Sequence, residues 1–71
     1  MWSVVKYING VEVEDYGVIE AANIRQLVGK LKKRFGVDNL MYEKMDHFKS
    51  PVYHVFADRD SDTWLEVSKY N

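Results

Sequence analysis

Seventy-one residues suffice for one small domain, in which folding removes only about 60% of the exposable surface and leaves no volume for a second core. The absence of cysteine and the presence of only two histidines set aside a disulfide framework, a thiolate nucleophile and a structural zinc, so packing or self-association must supply the stability. Hydrophobic residues at 46% and aromatic residues at 14% exclude a disordered chain, and the formal net charge of −1 conceals a strongly uneven distribution.

The N-terminus lacks the continuous apolar run of a signal peptide, and no apolar run approaches the ~20 residues of a membrane span, so a soluble cytoplasmic protein is expected. From Trp2 to Ile8 the residues are β-branched and aromatic, and Asn9-Gly10 follows, the dipeptide best suited to the positive φ angles of a type I′ hairpin turn. A two-residue turn pairs Ile8 with Val11, Tyr7 with Glu12, Lys6 with Val13 and Val5 with Glu14. One face then carries Val4, Ile8, Val11 and Val13 and is the better core face, with Lys6 expected near an edge; the other carries Val5, Tyr7, Glu12 and Glu14. Asp15-Tyr16-Gly17 breaks the alternation and reads as a bulge or kink before Val18-Ile19-Glu20 resumes the strand.

The one long helix is expected at about 23–35. Ile24, Leu27, Val28, Leu31 and Phe35 form a single stripe able to cover a sheet. Asn23 and Gln26 have the spacing of a capping box, and Gly36 supplies a left-handed C-terminal cap. Gly29 projects away from the stripe and lowers helix propensity without a packing reason. The helix holds Arg25, Lys30, Lys32, Lys33 and Arg34 and no acid, so it carries +5, whereas the remaining five cations and eleven acids sum to 5 − 11 = −6.

Leu40 to Met45 reads as a third strand of open parity, since Leu40 and Tyr42 compete with Met41 and Met45 for the inward face. Asp46 to Pro51 is a connecting loop. A five-residue loop from Asp58 to Asp62 pairs Ala57 with Thr63, Val55 with Leu65 and Tyr53 with Val67 on one apolar face, and Phe56 with Trp64 and His54 with Glu66 on the other. The expected architecture is an α+β, ββαβββ two-layer sandwich: a mainly antiparallel sheet with one amphipathic helix on one face.

One helix leaves the second face of the sheet open, and there Phe56, Trp64, His54 and Tyr70 form the candidate partner-binding group. The plainer reading is a stabilising cross-strand pair; a third, in which this face is the core, would expose more aliphatic surface. Arg25, Lys30, Lys32, Lys33 and Arg34 are candidate phosphate contacts. Against this stand a pI near 6.1 and the ordinary complementarity of cations with a helix C-terminus. Asp58, Asp60 and Asp62 open like a calcium loop, but Thr63 replaces the required glycine and Lys69 the bidentate glutamate, so turn-forming aspartates are the better reading. His47 and His54 match no ligand spacing, and no serine lies in a nucleophile motif. No metal, cofactor or enzymatic activity is therefore expected. The leading expectation is a small protein-binding module, a regulator or inhibitor of the kind common among phage and bacterial accessory proteins, docking through the aromatic face or an edge strand. Self-association as a homodimer and nucleic-acid binding through the basic helix or aromatic strands are the alternatives.

Overall fold

A computed structural model describes residues 1–46 and 50–69. Its elements are β1 (Trp2–Ile8), β2 (Val11–Ile19), α1 (Ile24–Phe35), β3 (Met41–Met45), β4 (Val52–Phe56) and β5 (Thr63–Lys69). The five strands make one antiparallel sheet in the order β2-β1-β5-β4-β3, and α1 covers one side, so the fold is the expected two-layer α+β arrangement. The last strand lies between the first and the fourth, which makes β1 an interior strand.

The β1–β2 hairpin turns at Asn9 (φ 53°) and Gly10 (φ 78°), both left-handed as a type I′ turn needs. Ile8 faces Val11 and Tyr7 faces Glu12 as expected, but the ladder then shifts twice. Lys6 pairs with Glu14 instead of Val13, and Val5 with Asp15 instead of Glu14, because Val13 is an extra residue; Tyr16 is a second one, within the stretch expected to bulge. At this second bulge the Asp15 carboxylate accepts from the Gly17 N–H at 2.8 Å, and Gly17 has φ 79°. The expected core face of the hairpin is thereby cut short. Val4 is fully buried, whereas Ile8, Val11 and Val13 are exposed beyond the reach of the helix. Lys6 is half-buried on an interior strand and not, as expected, at an edge.

The helix begins where Asn23 Oδ1 accepts from the Gln26 N–H at 2.9 Å; the Gln26 side chain reaches back one residue further than a capping box requires, accepting from the Ala22 N–H at 2.6 Å. It ends at Gly36 (φ 65°), and the Val37 N–H donates to the Lys32 carbonyl. Leu27, Val28 and Leu31 are buried against Trp2, Val4, Val55, Leu65 and Val67, with Ile24 and Tyr53 packed at the margin. Leu27, Leu31, Val4, Val55 and Val67 are the largest fully buried side chains, each worth roughly 1.5–3 kcal/mol in removal from water. Phe35, the last member of the stripe, is partly exposed and meets Tyr16 edge-on at 5.1 Å between ring centroids. The buried indole of Trp2 donates to the Ala21 carbonyl at 3.1 Å, fastening the start of β1 to the β2–α1 connection.

On β3, Tyr42 pairs with Val55 on the helix side, while Met41 and Met45 lie opposite Phe56 and Val52 on the other. This settles the parity: Leu40 precedes the strand and packs against the core, and both methionines face away from the helix. The β4–β5 ladder has the expected pairs Val55–Leu65, His54–Glu66 and Tyr53–Val67 but stops there, so the expected Ala57–Thr63 pair is absent and Thr63 pairs with Ile8.

A Cβ at Gly29 meets nothing within 4 Å, so Gly29→Ala should stabilise the fold by up to about 1 kcal/mol in chemical denaturation, with the spectrum unchanged. Leu31→Ala, by contrast, should cost about 2–5 kcal/mol, enough to leave a domain of this size largely unfolded by circular dichroism at room temperature.

Candidate functional site

The side of the sheet away from α1 carries Val5 and Tyr7 from β1, Trp64 and Glu66 from β5, and His54 and Phe56 from β4, since direct partners across antiparallel strands share a face. Trp64 is flanked on both sides. Tyr7 lies directly opposite it with centroids 5.8 Å apart and an interplanar angle of 4°, and His54 lies diagonally across at 5.3 Å and 23°. The three rings thus form a row across β1, β5 and β4, at separations where aromatic pairs contribute beyond their area.

Phe56 and Trp64 occupy the same face, but their neighbours differ from the expected cross-strand pair. Phe56 is buried at 9% exposure beneath the Arg59 guanidinium, which sits 5.7 Å from its ring centroid and 3.7 Å from Glu43. Trp64 is half-buried. Together with Glu43, His54, Asp58 and Arg59 these two rings border a hollow of about 240 Å³. Tyr70, the fourth expected contact, lies outside the described residues, as does His47. Tyr7 was not among the expected site residues; its place follows only from the pairing of β1 with β5.

Tyr7 is also the electrostatic marker of this face. The Glu66 carboxylate beside it, as hydrogen-bond acceptor and as negative charge, pushes the phenol above its ordinary value of 10.0, with desolvation and Glu12 adding to the same effect. Tyr16, on the helix side, is raised chiefly by burial and then by Glu14, whose Oε2 accepts from its hydroxyl at 3.0 Å; Arg34, 5.3 Å from the Tyr16 ring centroid, opposes the shift.

The candidate phosphate contacts do not converge. At about 100° per residue, Arg25 and Lys32 flank the buried stripe on one side, Lys30 and Arg34 flank it on the other, and Lys33 points opposite. Two of them have structural partners: Lys30 Nζ donates to the Glu20 carbonyl, and Arg34 lies over Tyr16. In the β4–β5 loop, Asp58 Oδ1 accepts from the Asp60 N–H at 3.0 Å, the ordinary turn use of aspartate. Among the described residues no group of three or more histidine or acidic side chains converges as a metal site would, and no helix is long and apolar enough to cross a membrane.

A second concavity, about 380 Å³, opens beyond the C-terminal end of α1, where Tyr16, Phe35, Val37, Leu40, Val55 and Leu65 meet around Lys6. It marks the end of the helix's cover. Comparison with protein-family models, curated proteins and solved structures gives no match to this chain.

The phenol of Tyr7 supplies a direct check of the open-face geometry. Both raised groups bind their protons more tightly in the fold than in the unfolded chain, so their contribution to stability is present below about pH 10 and is lost as the pH rises through the folded values. In ultraviolet titration two tyrosines should ionise above 10.0, and Glu66→Gln should bring one of them back toward that value. An unaltered titration in the variant would show that Glu66 does not govern Tyr7.

Proposed function

We propose that this chain is a small, non-enzymatic protein-binding module that docks through the open face of its sheet, in the manner of a regulator or inhibitor of a larger protein. The observation that carries this reading is Trp64, half-buried between Tyr7 and His54 on the face that α1 leaves uncovered among the described residues. A half-buried row of stacked aromatic rings supplies contact area at little entropic cost, and tryptophan and tyrosine are the commonest interface anchors. The face is a better docking element than the β2 edge, which is interrupted by two bulges and lined by Glu12, Glu14 and Asp15, devices that blunt strand addition. The dispersed cations of α1 give the nucleic-acid alternative less support than their number in the sequence suggests.

Because Phe56 is buried, the informative substitution is Trp64→Ala alone. It should keep the circular dichroism spectrum of the native chain while abolishing photo-crosslinks to protein from a benzophenone side chain placed at Ser68 on the same face. Crosslinks obtained only from a probe at Arg25, or only to nucleic acid, would refute this assignment.

A further inference from the structure

The strand registers sort charge by sign. Glu12 and Asp15 of β2, Glu66 of β5 and Glu43 of β3 all stand on the open face, opposite Tyr7, Val5, Val5 and His54 respectively. Lys6, Lys44 and Lys69 all stand on the helix face, opposite Leu65, Tyr53 and Trp2, and the five cations of α1 lie on that side as well. Glu14 joins the helix face across from Lys6. Among the described residues, no strand lysine or arginine projects onto the open face. The cation that reaches it, Arg59, comes from the β4–β5 loop and is paired with Glu43 over the Phe56 ring. The aromatic row therefore runs through a field of carboxylates, with Glu66 beside both Tyr7 and His54.

We infer that the occupant of this face is a basic protein segment, whose arginine or lysine stems lie along Trp64 and Tyr7 and whose heads are met by Glu66, Glu12 and Glu43. Such a head is drawn to the carboxylates that flank the row, while its aliphatic stem packs along the half-buried rings. A polyanion meets the opposite situation and is repelled, which separates a basic protein from nucleic acid as the occupant. This inference rests on the docking role proposed above and specifies its partner class.

The test uses the full chain labelled with ¹⁵N and three acetylated, amidated peptides: tetra-arginine, tetra-glutamate and a neutral Leu-Ser repeat. Tetra-arginine should shift the amides of Tyr7, His54 and Glu66 and the Trp64 indole, leaving α1 unmoved, and tetra-glutamate should not. Its affinity should fall roughly tenfold in Glu43→Gln/Glu66→Gln, fall again with added salt, and remain unchanged in Lys32→Gln/Lys33→Gln. The Gln changes are isosteric, so loss of binding is read in a folded protein. Absence of tetra-arginine shifts, or equal affinity in the Gln variant, would overturn the inference. If the neutral peptide moves the same resonances while tetra-arginine does not, the docking role stands and the basic partner falls. Mass that grows with concentration in the absence of peptide would assign the face to the cationic helix of a second copy, which likewise overturns a separate basic partner.

Discussion

A twelve-residue helix is about 18 Å long, and among the described residues it is the element that covers a sheet whose two central strands, seven residues each, run about 23 Å. That mismatch governs the molecule. Leu27, Val28 and Leu31 close over Val4, Val55, Leu65 and Val67, and the core stops where the helix stops. Beyond Phe35 the sheet continues, so Ile8, Val11 and Val13 remain exposed and an open apolar groove forms around Lys6. On the opposite side of the sheet the described residues supply no second layer, and the aromatic row of Tyr7, Trp64 and His54 partly shields the strands there.

The helix also accounts for its own charge. Lysines and an arginine in the last turn complement the partial negative charge of the carbonyl end, and Lys30 and Arg34 bind backbone and aromatic groups of the β2 region. These cations therefore serve the joint between the layers, and their spread over both flanks of the stripe prevents the convergence that a phosphate site requires. The sheet answers with acids on its other side, so the charge dipole in the sequence becomes a separation across the sheet in space.

Much of this was legible from local pattern. The helix announces itself through a 3.6-residue period and caps at both ends, the first hairpin through Asn9-Gly10, and the β4–β5 register through strict alternation from Tyr53 to Val55 and Leu65 to Val67. Non-local pairing was not legible. Nothing adjacent to Tyr7 signals that β1 will lie against β5, so local pattern pairs Trp64 with Phe56, its neighbour in the hairpin, and not with its stacking partner across the sheet. The bulge at Tyr16 has a glycine beside it and interrupts the alternation; the bulge at Val13 does neither, because Val-Glu-Val-Glu alternates perfectly through it. Burial is similarly non-local: Phe56 is covered by Arg59, and no strand periodicity predicts where a loop guanidinium will settle.

The bulges bear on the open face as well as on the hairpin. Without the extra residue at Val13, Lys6 would stand opposite a valine and Glu14 would join Glu12 on the open face. With it, Glu14 crosses to the helix side and faces Lys6, where it also accepts from Tyr16, while Asp15 takes the vacated place opposite Val5. One inserted residue thus keeps an acid on the open face and supplies another to a half-buried lysine on the side crowded with cations. The same shift brings Tyr16 to the helix side, where it meets Phe35 and carries Arg34, and the second bulge then sets Gly17 opposite Val4. A regular strand of the same composition would leave Lys6 without a facing carboxylate and Phe35 without its aromatic neighbour. Irregularity in β2 is therefore what lets one short helix end cleanly on a sheet too large for it, with the acids directed to the surface that it cannot reach.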